Sequence, residues 1–387
     1  MWYRFILPWV LILLSSGCSW INSYLAGADN APPPAELRPI EQSITIQKLW
    51  ETRVGSGTGG AFIKLSPVID QDRVYAASHD GRVAALDAAS GRVLWEVKTG
   101  LPITAGVGLG DGLVLVGTGK GQVIALREEE GEEAWRAQVS SEILAAPRAA
   151  EGVVVVRTVD GQFTGLDART GARLWGYTYT VPVLTLRGTA PPLLAQGVAL
   201  AGLDTGKLLV LSLNDGTPVW EKTISPPRGR TELERLVDID AEPRVVDSHL
   251  FVAAYQGNIT AIDLRNGNTL WSRDFSSHAG LDVDTQRVYV ADASDAVWAL
   301  DQGNGSALWK QAELAGRTLS APVASDHYVV VGDSQGYLHW LDKDDGKVVG
   351  RVRADGRGIT VAPAVHRDTL YVLGDGGTLG AFQVGGS

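Results

Sequence analysis

Two carboxylate pairs, Glu232/Glu234 and Asp238/Asp240, are the side chains of this sequence best suited in principle to reactive chemistry. Paired carboxylates can divide acid and base roles, or hold a divalent cation. Neither pair carries the pattern that such work needs. Glu232 and Glu234 sit in a Thr-Glu-Leu-Glu-Arg stretch that reads as a solvated helical turn, with no spacing that couples them. Asp238 and Asp240 lack the further oxygen ligands at fixed intervals that build a calcium loop. The histidines, His79, His249, His278, His327, His339 and His366, show no His-x-x-x-His ligand spacing. No Gly-x-Ser-x-Gly elbow and no Gly-x-x-x-x-Gly-Lys loop occurs. Gly55, Gly57, Gly59 and Gly60 cluster, but without a surrounding βαβ unit they make no phosphate cradle. The expectation is a protein with no catalytic residue, no metal and no cofactor.

Charge narrows the partners. The formal net charge is −10, opposite to the basic surface that sequence-independent nucleic-acid binding requires. It also argues against attachment to anionic lipids by charge alone.

Cys18 is the only cysteine, so no disulfide can form within the chain. It follows Arg4, an apolar run from Phe5 to Leu14 broken by Pro8, and the small residues Ser15, Ser16 and Gly17. That order reads as an export signal over residues 1–17, too short to span a bilayer in comfort. It resembles the bacterial lipoprotein signal, which implies lipid attachment to the Cys18 thiol and a mature chain beginning there. Ser15 departs from the Leu, Val or Ile of that pattern, which leaves a plain secretory signal with an incidental cysteine as the alternative. Ser19 stands where inner-membrane lipoproteins carry Asp, so the resemblance implies the outer membrane, with the protein facing the periplasm. Pro32, Pro33, Pro34 and Pro39 make residues 18–43 read as a lipidated cysteine and an extended tether. An extra edge strand is the less favoured reading of that segment, because proline removes ladder donors.

The elements that position everything else recur along the chain. Each unit runs from a short apolar strand through a Gly turn into a second strand, then an Asp-containing turn, a Gly and a Trp four residues later. The closing pairs are Gly91/Trp95, Gly131/Trp135, Gly171/Trp175, Gly216/Trp220, Gly267/Trp271 and Gly305/Trp309, while Gly346 is followed by Gly350 in the Trp slot. Glycine permits the positive φ of tight hairpins, and Asp accepts hydrogen bonds from turn amides. A Trp in each unit buries a large flat area against a neighbour. Four short strands at a period near 40 residues are the signature of a propeller blade. Strand starts near Val74, Val114, Val153, Val198, Leu250, Val288, Tyr328 and Leu370 make eight units. The eighth has no Trp strand after it, whereas Ile44 to Val54 contains Trp50 with no hairpin before it. The expected fold is therefore all-β: an eight-bladed propeller of four-stranded antiparallel blades over residues 44–384. The N-terminal strand completes the last blade and removes its open edge.

These Asp…Gly…Trp repeats resemble the pyrroloquinoline-quinone-type propeller repeat. Leu184–Gly188, Thr231–Asp240 and Gly332–Leu338 further resemble the outer-membrane assembly factors of the BamB family, lipoproteins of the β-barrel assembly machinery. That resemblance implies a non-enzymatic scaffold. It would bind the periplasmic domains of the BamA insertase, meet the other lipoproteins of the complex indirectly and receive unfolded outer-membrane proteins. A quinone-dependent dehydrogenase and a glycan-binding propeller are the rival readings on the same fold. The former usually carries an adjacent cysteine pair, and this chain has one cysteine, in the signal.

Blade spacing shows where material was added. Trp135 and Trp175 are 40 residues apart, Trp175 and Trp220 are 45, and Trp220 and Trp271 are 51. The additions fall near 178–190 and 223–241, in inter-blade connections that share one face of a propeller, where binding residues concentrate. Leu184, Leu186 and Arg187 lie in the first and Asp238 and Asp240 in the second. By the resemblance these five contact BamA. The residues alone leave an alternative open, in which both leucines pack inward and Arg187 pairs with Asp238 or Asp240.

Overall fold

The middle strands of every repeat are continuous apolar runs, such as Arg82–Asp87 and Val153–Arg157, because both of their faces are covered. Outer strands such as Val93–Lys98 alternate and bury chiefly their Trp. The computed structural model describes residues 33–385, so Cys18 and the signal lie outside the described residues. It contains eight four-stranded antiparallel sheets. Blades 1 to 7 run over Val68–Lys98, Ile103–Gln138, Arg148–Thr178, Leu193–Thr223, Arg244–Phe275, Leu281–Gln311 and Val323–Arg353. Blade 8 takes three strands from Ala364–Val384 and its outer strand from Ile46–Arg53, paired from Ile46 opposite Val384 to Arg53 opposite Thr378. Its innermost strand lies against that of blade 1, which closes the ring. The expected architecture is what is found.

The Trp slot is an inter-blade staple. Trp50, Trp95, Trp135, Trp175, Trp271 and Trp309 each donate their indole N–H to a turn carbonyl of the following blade, at 2.7–3.0 Å. Each ring also covers that turn's glycine. A Cβ on Gly131 would sit 2.6 Å from the ring of Trp95. Trp220 is the exception; there Lys222 Nζ reaches the Gly267 carbonyl instead, at 2.6 Å. The missing Trp of blade 7 now has a reason. Blade 8 draws its outer strand from the N-terminus and so has no outer-hairpin turn to cover. The space beside Gly350 is filled by Ile44 and Ile46, whose side chains would lie 2.7 and 2.9 Å from a Cβ there.

Residues 35–43, expected within the tether, form no strand but are held against blades 6 and 7. Ala35 N–H donates to the Ala315 carbonyl at 2.9 Å, and Leu37 packs on the cluster around Trp309 and Leu314. Buried Arg317 donates to the Ala35 carbonyl and to Asp333, each at 2.7 Å. Arg351 reaches the Arg38 carbonyl at 3.0 Å.

Candidate partner-binding site

The two long inter-blade connections meet as the spacing anticipates. Residues 179–192 lead from blade 3 to blade 4, and residues 224–243 lead from blade 4 to blade 5. The Asp238 carboxylate accepts the Leu186 N–H at 3.1 Å and so joins the loops directly. Gly188 lies over Asp240, whose carboxylate would be 3.1 Å from a Cβ at that position, a tight contact that glycine avoids.

The five expected residues separate into two groups. Leu184 and Arg187 are exposed, Leu186 is half-buried, and neighbouring Val183 is 87% exposed. They present an apolar ridge with a cation at its end. Asp238 and Asp240 are different: at 1% and 7% exposure they lie beneath the loop and offer a partner no surface. Arg187 does not pair with either of them. Its guanidinium meets Glu142, from the connection between blades 2 and 3, at 2.9 Å. The alternative of inward leucines and an Arg187–Asp pair is therefore not what the chain adopts. The reason is that both acids are buried beneath the loop, where Asp238 accepts the Leu186 N–H and lies in the field of a buried cation.

That cation is Arg157, 1% exposed. It donates to the Gly202 carbonyl and to the Tyr179 hydroxyl, both at 2.7 Å, and lies 3.9 Å from Asp204. Its guanidinium also stands over the rings of Phe163 and Tyr179 at 5.8 and 5.7 Å. Two buried carboxyls, Asp204 and Asp238, thus lie in the field of one guanidinium, with Asp240 next to them. Burial, reinforced by the neighbouring Asp240 and Asp204, pushes the Asp238 carboxyl up to about 9. Burial also raises Asp204, against the pull of Arg157. A signal for Arg157 was present in the repeat. Six of the seven other blades hold Ala77, Gly117, Gly202, Ala253, Ala291 and Gly332 at the equivalent position and blade 8 holds Leu373, so a charged side chain there stands out from the repeat. Glu142 carried no such signal, since its loop has no insertion.

The other carboxylate pair is as expected. Glu234 accepts the Arg230 and Thr231 N–H groups while the Thr231 hydroxyl accepts the Glu234 N–H, a reciprocal cap on one exposed turn. Among the described residues no group of three or more His, Cys, Asp or Glu side chains is placed to hold a metal. Of the described Trp residues outside the staple slot, Trp340 is buried and Trp298 lies under Lys310 Nζ at 4.5 Å, so neither offers a free face to a sugar.

Comparisons with known proteins agree with this geometry. A family model described as outer membrane protein assembly factor BamB matches residues 79–311 and 299–385. The chain is 51% identical to outer membrane protein assembly factor BamB of Pseudomonas aeruginosa, over 97% of each chain. It is 38% identical to the Escherichia coli factor of the same name, over 97% of this chain and 98% of that one. A crystal structure of BamB from Moraxella catarrhalis superposes with a TM-score of 0.81 at 29% identity, covering 88% of this chain and all of that one. The quinohemoprotein alcohol dehydrogenase of Comamonas testosteroni shares the fold alone, with a TM-score of 0.71 at 16% identity, over 91% of this chain and 78% of that one. The chain belongs to the outer membrane protein assembly factor BamB family.

Proposed function

We propose that this chain is a non-enzymatic scaffold of the outer-membrane β-barrel assembly complex. A lipid on Cys18 holds it at the periplasmic face of the outer membrane, and it binds the periplasmic domains of BamA. Leu184, Leu186 and Arg187 form the contact, and Asp238 and Asp240 hold the loop in its binding shape. The observation that carries this reading is the Asp238–Leu186 bond, which fixes an otherwise irregular loop so that its apolar ridge points outward. A pre-shaped loop loses less entropy on binding than a mobile one. Arginine and apolar side chains at the centre of a contact dominate such interfaces. The lipid, with its second and third acyl chains, raises the local concentration of the scaffold where barrels are inserted.

The test is a pair of exposed changes, Leu186→Asp and Arg187→Glu, in the full lipoprotein. Co-purification with BamA should be lost while the melting temperature stays within a few degrees of wild type, since neither side chain is fully buried. Retention of BamA by the doubly changed protein would place the contact elsewhere on the ring.

A further inference from the structure

A funnel of about 490 Å³ opens on the axis of the ring, and Leu186 and Arg187 form part of its wall. The proposed partner surface therefore continues into the mouth of the channel. Across from the loop stands Phe62, in the connection from blade 8 to blade 1, with 87% of its surface exposed. An aromatic side chain left this open, on a lip shared with other apolar residues, marks a contact surface more than a solvent-facing loop.

The charge of the mouth runs against that of the chain. Three exposed cations, Lys64, Arg187 and Arg357, line it, although the protein carries a net −10. Lys64 and Arg357 form no ion pair among the described residues. The two acids of the lining do not answer them. Asp240 is buried beneath Gly188, and Asp375 is half-buried and accepts the Thr360 hydroxyl at 2.9 Å. Burial, with the charge of Lys64, holds the His278 imidazole below its usual range, so the positive charge of the mouth rests on Lys64 and Arg357, with Arg187 already paired to Glu142. Deeper in, the channel narrows to about 120 Å³. There Arg148, Glu242, Arg244 and Asp282 pair with one another at 3.4–3.6 Å, and an occupant would have to separate them. Whatever binds is held at the mouth.

We propose that the mouth is the second half of the partner surface, and that it receives an acidic segment of the same BamA periplasmic region that docks on the loop. Phe62 packs against an apolar side chain of that segment, and Lys64 and Arg357 meet its carboxylates. This rests on the function proposed above and adds a register to it. An acidic partner segment is disfavoured by the net charge of this protein and attracted at the mouth, which orients the two proteins before the loop engages.

The experiment compares full-length BamA in detergent with the full lipoprotein carrying Phe62→Ser, Lys64→Glu/Arg357→Glu, or Leu186→Asp. Affinity is measured at about 50 mM and about 300 mM salt, a range over which screening of exposed charges grows strongly. Phe62→Ser should weaken binding roughly tenfold. The charge reversal should weaken it by at least about tenfold at low salt and flatten its salt dependence. Lys64→Gln/Arg357→Gln, which introduces no repulsion, should give the same flattening with a smaller loss. Wild-type affinity and salt dependence in the mouth variants overturn the proposal, whatever Leu186→Asp does; Leu186→Asp alone tests the loop reading. Mouth variants that hold BamA normally but no longer capture an unfolded barrel precursor would assign the mouth to precursors and also overturn it.

Discussion

Asp238 shows how a residue can matter to a surface it does not reach. Its carboxyl is 1% exposed, accepts the Leu186 N–H, and shares the field of Arg157 with the buried Asp204. Removing the acceptor by Asp238→Ala leaves a partly buried N–H unpaired, at a cost of about 1–3 kcal/mol, and frees the loop. Asp238→Asn keeps an acceptor and removes the titration. Burial raises the carboxyl to about 9 in the folded state, so the folded chain holds a proton that the unfolded chain releases near pH 4. Between those values the folded state binds more protons, and stability falls as pH rises. Relative to Asp238→Asn, wild type should lose up to about 1 kcal/mol per pH unit between pH 5 and 8 in denaturant titrations. A constant difference between the two proteins across that range would show the carboxyl to be ionised in the fold.

Blades are tied to one another by the Trp-on-glycine contact as well as by their apolar faces. Two glycines separate the steric part of that contact from backbone strain. Gly131 has φ +74° and lies under Trp95; Gly152 has φ +82° and nothing within 4 Å of a Cβ. Gly152→Ala should cost about 1–2 kcal/mol from the left-handed backbone alone. Gly131→Ala adds displacement of the Trp95 ring and its 3.0 Å bond to the Glu128 carbonyl, for a further 1–3 kcal/mol or so. Equal losses in urea unfolding would mean that the ring yields freely and the staple contributes little.

Closure of the whole ring depends on eight residues far from the rest of their blade in sequence. Without Ile46–Arg53, the strand Thr378–Val384 becomes an open edge, and Trp50 no longer covers the outer turn of blade 1. Deleting residues 19–53 while keeping the signal and Cys18 should abolish a single cooperative melting transition and expose blade 8 to protease. An unchanged melting temperature would show that seven and three-quarter blades hold by themselves. The clamp at Ala35–Arg38 ties the same segment to blades 6 and 7 through Arg317 and Arg351, so the deletion removes contacts on both sides of the seam.

Blade number, strand order and ring closure were all legible in the residues, because a blade is a local unit whose turns demand Gly and Asp at fixed intervals and whose Trp has one place to go. Even the absent Trp at Gly350 carries that logic, although its reason needed Ile44 and Ile46 in place. The two insertions were legible as spare length, and propeller geometry put them side by side. The roles of their residues were not. Spacing cannot say that Arg187 turns to Glu142, that Asp238 and Asp240 are buried beneath the loop, or that Phe62 and Lys64 share a funnel with Leu186. Each of those contacts joins different blades, and charge pairing across a ring is decided by which side chains the closed structure buries together. Local pattern determined the scaffold; only the assembled ring decided which of its charges reach the surface.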